Sequence, residues 1–251
     1  MRAELRAVAD AEAVASTAAE AIVAAARCAI QERGRFTMAL SGGSTPRRLY
    51  QLLADADGPY AAALRWDRIH LFFGDERHVP PEDPDSNYRM VSETLLSRIT
   101  VASVHRMRGE LPEAAAAAES YEGDLARFFE IDAAADPPPR IDVVLLGLGA
   151  DGHTASLFPG SPALDERRRW VVAPFVERLG ASRITLTLPV LNRAREVLFL
   201  VSGLAKAHAL ARALAPGGSA PPPPAARVQP DLEAPIWIAD RDAANGRGYR
   251  A

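Results

Sequence analysis

Residues 141–160 read IDVVLLGLGADGHTASLFPG, a stretch that joins an apolar run to a glycine-rich turn. The run IDVVLL has the length and composition of a strand buried on both faces. From Gly147 the letters match G-x-G-x-x-G, a pattern that opens a long helix in dinucleotide-binding proteins. Here the break PGSP follows only six residues after Gly152, so that helix has no room. The stretch therefore predicts a strand whose carboxyl end presents His153 on a tight turn.

Strands and helices alternate on either side of this stretch. The segments that read as further strands are RFTMAL (35–40), RIHLFF (68–73), VHRMRG (104–109), WVVAPFV (170–176), RITLTLPV (183–190), EVLFLVSG (196–203) and APIWIAD (234–240). Those that read as helices are residues 10–33, 47–55, 87–99, 114–131 and 204–214. This alternation predicts an α/β fold with a mainly parallel open sheet and helices on both faces. The proline-rich segment 215–230 lies between elements of the same sheet, so residues 1–251 are expected to form a single domain.

Composition narrows the classes of function. A net charge of -3 and a pI near 6.0 disfavour a nucleic-acid-binding surface, which is usually basic. No apolar run is expected to span a bilayer, and the amino-terminal segment carries acidic residues that a signal peptide lacks. We therefore expect a cytoplasmic protein with a small-molecule partner and no membrane partner. The single cysteine, Cys28, excludes an internal disulfide and a cysteine-based zinc cluster, and its alanine-rich surroundings predict a small buried side chain.

The loop after RFTMAL has the composition of a phosphate cradle. Its residues are Ser41, Gly42, Gly43, Ser44 and Thr45. The glycines let backbone N–H groups approach a ligand, the hydroxyls can donate, and the start of the next helix favours an anion. The loop lacks the lysine and the spacing of a Walker A motif, and Pro46 excludes the G-x-S-x-G nucleophile elbow. The alternative interpretation is an ordinary capped turn.

A second polar loop, GDERHVPPEDPDSNYR, follows the predicted strand RIHLFF. Ionisable groups directly after a buried strand favour a polar site over a solvated turn. Arg77 can hold a phosphate or a sugar hydroxyl, while Asp75 can either orient Arg77 or contact sugar hydroxyls. Asn87 opens the next predicted helix, where it is either a helix cap or a ligand contact. The loops after four strands, RFTMAL, RIHLFF, IDVVLL and EVLFLV, are expected to face one crevice.

Two side chains stand out as candidates for chemistry. His153 follows a central strand, and histidine is the usual general base at neutral pH. The neighbouring carboxylate of Asp151 can fix the tautomer of this imidazole, although a distant partner is equally open. His70, inside a strand, and His208, on a helix, read as structural. Lys206 is the single lysine in a chain that otherwise uses arginine, which indicates a position that needs a compact ammonium group.

Several long motifs together resemble the 6-phosphogluconolactonase family. They are SGGSTPRRLYQLL, FFGDERHVPPEDPDSNYRM, LLGLGADGHTASLFPG, RITLTLPVLNRAREVLFLVSG and KAHAL, in that order, and the resemblance extends over about residues 36–244. It implies a fold shared with glucosamine-6-phosphate deaminase and ribose-5-phosphate isomerase. It also implies a cytosolic enzyme of the oxidative pentose phosphate pathway that works without a metal ion or cofactor. The segments PPPPAARVQ and WIADRDAAN depart from the family's usual pattern near the carboxyl end.

The resemblance assigns roles to the candidate residues. His153 would activate the water that hydrolyses 6-phosphoglucono-δ-lactone, and Asp151 would be its neighbour. The loop from Ser41 to Thr45 would hold the substrate together with Arg77. Arg183 and Lys206 would bind its phosphate.

Two other functions are compatible with such a fold. One is an isomerase or deaminase of an amino-sugar phosphate, which resembles this chain up to DGH but then carries a carboxylate where SLFPG stands here. The other is a non-catalytic sugar-phosphate sensor, which would need a helix-turn-helix unit. Only one helix is predicted before the first predicted strand, which is too little for that unit.

Overall fold

A computed structural model describes residues 3–132, 137–215 and 221–245 of the chain. Its strands are β1 Glu4–Val8, β2 Phe36–Leu40, β3 Ile69–Phe73, β4 Asp75–Arg77, β5 Ser103–Val104, β6 Val143–Gly147, β7 Val171–Val172, β8 Phe175–Val176, β9 Ala181–Leu186, β10 Glu196–Val201 and β11 Ile236–Asp240. Its α-helices are α1 Ala11–Arg33, α2 Ser44–Leu53, α3 Asn87–Val91, α4 Ala114–Phe129, α5 Leu188–Leu191, α6 Ala207–Leu214 and α7 Arg241–Asn245. Helix α3 continues as a π-helical turn, Ser92–Leu96, so the predicted helix 87–99 is only partly α-helical.

The main sheet has seven strands in the order β1-β11-β10-β6-β2-β3-β5, and all its pairs are parallel. The prediction of a mainly parallel α/β sheet is confirmed. Strands β2, β3 and β5 extend to one side of β6, while β10, β11 and β1 extend to the other. The direction of winding thus reverses between β2 and β6, and ligands of such sheets bind at the carboxyl ends of the strands beside this reversal.

A second, antiparallel sheet has the strand order β4-β9-β7, and β8 also pairs with β9. The segments 170–176 and 183–190 therefore do contain strands, but they do not join the parallel sheet. β8 and β9 are joined by the short turn Glu177–Leu179, and so short a connection makes the two strands antiparallel neighbours. A parallel connection needs a crossover of about a dozen residues or more. Strand β4 lies in a segment that the sequence predicted as a loop.

Gly74 joins the two sheets. Its N–H donates to the carbonyl of Leu40 at 2.8 Å, and its own carbonyl accepts from the N–H of Leu186 at 2.9 Å. The antiparallel sheet is thereby fixed at the carboxyl ends of β2 and β3. Helix α4 packs against its strands β7 and β9.

The first strand, β1, was not predicted. It pairs in parallel with β11 at the edge of the sheet, and its residues are exposed or half-buried. An edge strand of this kind lacks the continuous apolar run of a central strand. The predicted third strand, 104–109, is reduced to Ser103–Val104, which pairs with β3 at the opposite edge.

Helix α1 begins and ends where the sequence predicts. Asp10 caps it by accepting the N–H of Ala13 at 2.9 Å, and Gly34 ends it with φ 73°. The buried stripe consists of Val14, Ala15, Ala18, Ala19, Ile22, Ala26 and Ala29. Cys28 lies off this stripe and is exposed, so the expectation of a buried cysteine is wrong.

The same helix corrects the expectation that no segment could span a bilayer. By length and apolar composition alone, α1 would be able to cross a membrane. Its buried stripe instead packs against α2, β10 and β11. This arrangement is that of an amphipathic helix packed on a sheet through one apolar face.

Candidate active site

Loops from four parallel strands meet at the carboxyl end of the sheet around a cavity of about 480 Å³. Among the residues that line it are Ser41, Gly42, Gly43, Ser44, Thr45, Asp75, Arg77, Asn87, His153, Arg183 and Lys206. These predicted site residues lie far apart in sequence and are brought together by the fold. Asp151 stands behind His153. A second cavity, of about 740 Å³, is lined by Asp151 and in part by prolines, including Pro221–Pro224.

The loop at 41–45 leaves backbone N–H groups available at the start of α2. No side chain of the described residues caps this helix, and Gly43 at its N-terminus has φ 110°. The alternative of an ordinary capped turn is therefore not what the structure shows. A Cβ on Gly42 would lie 1.9 Å from Oδ1 of Asn87, so a side chain there would displace the amide of Asn87. The hydroxyl of Ser41 is buried at the cavity and has no hydrogen-bond partner among the described residues.

Tyr50 fixes the start of this loop. Its hydroxyl accepts the N–H of Ser41 at 3.0 Å and donates to the carbonyl of the same residue at 2.9 Å. Burial raises the pKa of this phenol well above its usual range, so it remains a donor. Ser41, the first residue of the loop 41–45, is thus held by a buried side chain.

Asp75 is buried and its carboxylate is already partnered. It accepts the hydroxyl of Ser156 at 2.7 Å and lies 3.5 Å from Nδ2 of Asn87. In the part of the chain that the structure describes, it forms no ion pair with Arg77, so it does not orient that guanidinium directly. Asn87 also donates to the carbonyl of Asp75 at 2.9 Å, which ties the second polar loop to the cradle.

Helix α3 is capped by residues other than Asn87. Ser86 accepts the N–H of Arg89 at 3.1 Å, and the buried carboxylate of Glu76 accepts the N–H groups of Asn87 and Tyr88 at 2.7 and 2.8 Å. Burial raises the pKa of Glu76 in spite of these bonds. Asn87 is therefore not the cap, and its side chain faces Gly42 and the cavity.

Three cations without carboxylate partners surround the cavity. Arg77 and Arg183 are directly opposite each other in the β4–β9 pair, and Lys206 precedes α6 at the end of β10. Within the described ranges none of the three forms an ion pair. Burial and then the charge of Arg77 lower the pKa of Arg183. Adjacent cations of this kind repel each other, and an anion between them would relieve the repulsion.

His153 is held by Asp151. Its Nδ1 lies 2.5 Å from Oδ1 of Asp151, and its backbone N–H donates to the same oxygen at 3.1 Å. Asp151 is thus the partner that the sequence could not choose. The bond at Nδ1 leaves Nε2, which has no hydrogen-bond partner among the described residues, as the nitrogen available for proton transfer.

The charge of Asp151 is stabilised by its neighbours. Burial alone would raise the pKa of this carboxyl, but hydrogen bonds from His153 and the charges of His153 and Arg178 outweigh that effect and lower it. Arg178, which lies 2.7 Å from Oδ2 of Asp151, was not predicted. It lies in the turn between β8 and β9. Its contact with Asp151 is long-range in sequence, so no local pattern indicates it.

Asp240 is a second residue that the sequence did not indicate. Its carboxylate accepts the hydroxyl of Ser202 at 2.5 Å, the N–H of Gly203 at 2.9 Å and the N–H of Ala243 at 2.8 Å. It holds the loop that leads to Lys206. The carboxyl-terminal segment that departs from the family pattern therefore still supports the cavity.

The proline-rich segment supports the turn that carries His153. A Cβ on Gly152, whose φ is 86°, would lie 2.4 Å from Cβ of Pro223. The N–H of Ala225 donates to the carbonyl of Gly152 at 3.1 Å. Residues 216–220 of the segment lie outside the described residues.

Comparison with known proteins assigns the chain to a family. The model of the family "Glucosamine-6-phosphate isomerases/6-phosphogluconolactonase" matches residues 9–237. A 6-phosphogluconolactonase from Synechocystis sp. is 44% identical over 217 residues, which cover 86% of this chain and 86% of that protein. The chain belongs to this family of glucosamine-6-phosphate isomerases and 6-phosphogluconolactonases.

Solved structures agree with this assignment. The 6-phosphogluconolactonase of Trypanosoma brucei superposes with a TM-score of 0.85 at 28% identity, covering 97% of this chain and 98% of that one. A monomeric glucosamine-6-phosphate deaminase shares the fold, with a TM-score of 0.76 at 20% identity, covering 98% of this chain and 100% of its own.

Proposed function

We propose that this protein is a 6-phosphogluconolactonase that hydrolyses 6-phosphoglucono-δ-lactone in the cytoplasm, as a step of the oxidative pentose phosphate pathway. The observation that carries the proposal is the position of one imidazole nitrogen and three cations at the same cavity, none of which has a carboxylate partner among the described residues. The relatives named 6-phosphogluconolactonase support the same substrate, a phosphorylated sugar lactone.

The chemistry starts at Nε2 of His153. This nitrogen takes a proton from water while the water oxygen attacks the C1 carbonyl of the lactone. The tetrahedral oxyanion then collapses, the bond from C1 to the ring oxygen breaks, and the imidazolium returns the proton to that oxygen. Positioned bases of this kind contribute on the order of a hundredfold to ten-thousandfold in rate. The product acid ionises at neutral pH and releases one proton.

The remaining residues bind and orient the substrate. Lys206, Arg183 and Arg77 hold the phosphate, and the N–H groups at the start of α2 add donors. Anchoring the remote phosphate fixes C1 beside the base, so binding energy at one end promotes reaction at the other. Among the described residues, no cluster of three histidine, cysteine or acidic side chains is placed to hold a metal ion. The steps proposed here use side chains alone.

The two other functions gain no support from the cavity. Beyond His153 it is lined by Thr154, Ala155, Ser156 and Phe158, so no carboxylate stands where the amino-sugar enzymes carry one. A sensor would bind 6-phosphogluconate without accelerating loss of the lactone, so the assay below separates the two.

Proton release from freshly generated 6-phosphoglucono-δ-lactone tests the proposal. Native protein should accelerate it far above the spontaneous rate, and His153→Ala should lower kcat/KM by about a hundredfold or more. His208→Ala, which changes an exposed histidine outside the cavity, is the matched control. Equal loss in both variants, or full activity in His153→Ala, would contradict the assignment of the base. Absence of any acceleration by native protein would overturn the function itself.

A further inference from the structure

We infer that Arg178 is a positioning residue that holds Asp151 and Phe158 against His153 and offsets the charge of Asp151 beside the imidazole. The inference rests on the proposed function, because it concerns the same base. It assigns Arg178 no contact with the reacting atoms.

The first observation is how the oxygens of Asp151 are used. Oδ1 contacts Nδ1 of His153 at 2.5 Å, and Oδ2 contacts Nη2 of Arg178 at 2.7 Å. Rotation of the carboxylate would break one or both of these contacts. Arg178 thereby fixes the acceptor that in turn fixes the ring of His153.

The second observation is that Arg178 also contacts the other support of that ring. Its guanidinium carbon lies 4.7 Å from the ring centroid of Phe158, within the range of a cation–π interaction. The ring of Phe158 lies 4.4 Å from that of His153, at an angle of 34°. One guanidinium therefore touches both groups that hold the imidazole.

The third observation is the backbone that carries Arg178. The turn Glu177–Leu179 is closed by Gly180, which has φ 57° and donates its N–H to the carbonyl of Glu177 at 3.0 Å. The same hairpin continues into β9, which carries Arg183. A short, hydrogen-bonded segment thus connects a phosphate-binding cation with the support of the base.

The charges around His153 predict how Arg178 affects protonation of the imidazole. The carboxylate of Asp151 favours the imidazolium, which cannot accept a proton from water. Arg178 opposes this effect from the turn before β9. Asp75, Arg77, Arg183 and Lys206 face the same cavity from other elements. About half of the Arg178 side chain is exposed (53%), so solvent screens its charge and the expected effect is moderate.

The test compares pH–rate profiles of Arg178→Met and Arg178→Lys with native protein. In Arg178→Met the acid limb of kcat/KM should move to higher pH by about half a unit to one unit. Its kcat at pH 7.5 should fall by about threefold to thirtyfold, with a smaller change in KM. In Arg178→Lys the charge is kept, so the acid limb should return towards its native position. The matched control is Arg169→Met, which removes an exposed arginine paired with Glu166 outside the cavity.

A measurement without substrate separates this inference from the proposed function. The titration of the His153 imidazole can be followed by NMR in ¹⁵N-histidine-labelled protein, with the signal assigned through His153→Ala. Its midpoint should rise in Arg178→Met and be restored in Arg178→Lys, whether or not the lactone is the substrate. An unchanged midpoint together with an unchanged acid limb would overturn the inference. So would an increase in KM alone, because Arg178 would then be a substrate contact.

Discussion

The imidazole of His153 rests against backbone that has no room for a side chain. A Cβ on Gly149 would lie 1.9 Å from Nδ1 and 2.2 Å from Cε1 of His153. The N–H of Gly149 donates to the carbonyl of His153 at 2.8 Å, which closes the turn below the ring. Of the three glycines that match the dinucleotide pattern, Gly149 is therefore the one that packs closely against the histidine.

At the same scale, Lys206 is expected to recognise the phosphate. Lys206→Met should raise KM for 6-phosphoglucono-δ-lactone by about tenfold to a hundredfold, because a charge-assisted contact contributes about 1.5–3 kcal/mol. The same change should have little effect on unphosphorylated glucono-δ-lactone. Steady-state kinetics with both lactones measures this. Arg27→Met, on the exposed side of α1, is the control. An equal loss with both substrates would contradict a phosphate-specific role.

At the scale of elements, two buried tyrosines hold the ends of two neighbouring strands. The hydroxyl of Tyr121, on α4, accepts the N–H of Phe73 at 2.8 Å and donates to its carbonyl at 3.1 Å. Tyr50, on α2, makes the same pair of bonds with Ser41 at the end of β2. Helices on the sheet thereby fix the points at which two of the loops around the cavity begin.

Replacement of each tyrosine by phenylalanine tests how its hydroxyl contributes to stability and to substrate binding. Tyr50→Phe leaves the buried N–H and carbonyl of Ser41 without this partner, so we expect about 1–3 kcal/mol less free energy of unfolding and a higher KM. Tyr121→Phe should destabilise by a similar amount through Phe73. Tyr60→Phe, whose hydroxyl lies 3.5 Å from the carbonyl of Ser16, should change little. Urea denaturation and steady-state kinetics provide the measurements. Unaltered stability in Tyr50→Phe would refute the importance of these bonds.

Elements were predictable where local sequence determines them. The buried runs of β2, β6 and β11 and the long amphipathic stripe of α1 carry their own signals. Strand β4 has the sequence DER and forms only because β9 pairs with it, so no local pattern could reveal it.

The residues of the candidate site also differ in how far local sequence could predict their contacts. Asp151 and His153 are close in sequence, whereas Arg178 and Asp240 reach their partners across long stretches of chain. The alternation of strands and helices in the sequence was enough to place the loops at one edge of the sheet. It could not select the partner of each side chain, which depends on distances that only the folded chain defines.

At the scale of the whole molecule, stability should depend on pH through two histidines at the edge of the sheet. Nδ1 of His70 and Nε2 of His105 both lie 2.8 Å from the hydroxyl of Ser103. Burial, then the charges of Arg35 and His105, lower the pKa of His70. Burial also lowers the pKa of His105, against a smaller opposing effect of Asp124.

A lowered histidine pKa means that the unfolded chain binds protons more readily than the folded one. The stabilisation is then fully present above the ordinary histidine pKa of about 6.5 and is lost as pH falls below it. Urea denaturation at pH 7.5 and 5.5 should show this loss in native protein. The double variant His70→Asn, His105→Gln should lose less between the two pH values. An identical loss in both proteins would contradict the prediction.

The pairing of β1 with β11 has a consequence for folding during synthesis. Of the described strands, β1 is synthesised first and its partner β11 last, after every loop of the cavity. The nascent chain therefore carries β1 without this partner until β11 has been made. Asp240, which holds the loop before Lys206, emerges with that same late strand. Closure of the sheet and completion of the cavity thus coincide, and a chain interrupted before β11 would lack both.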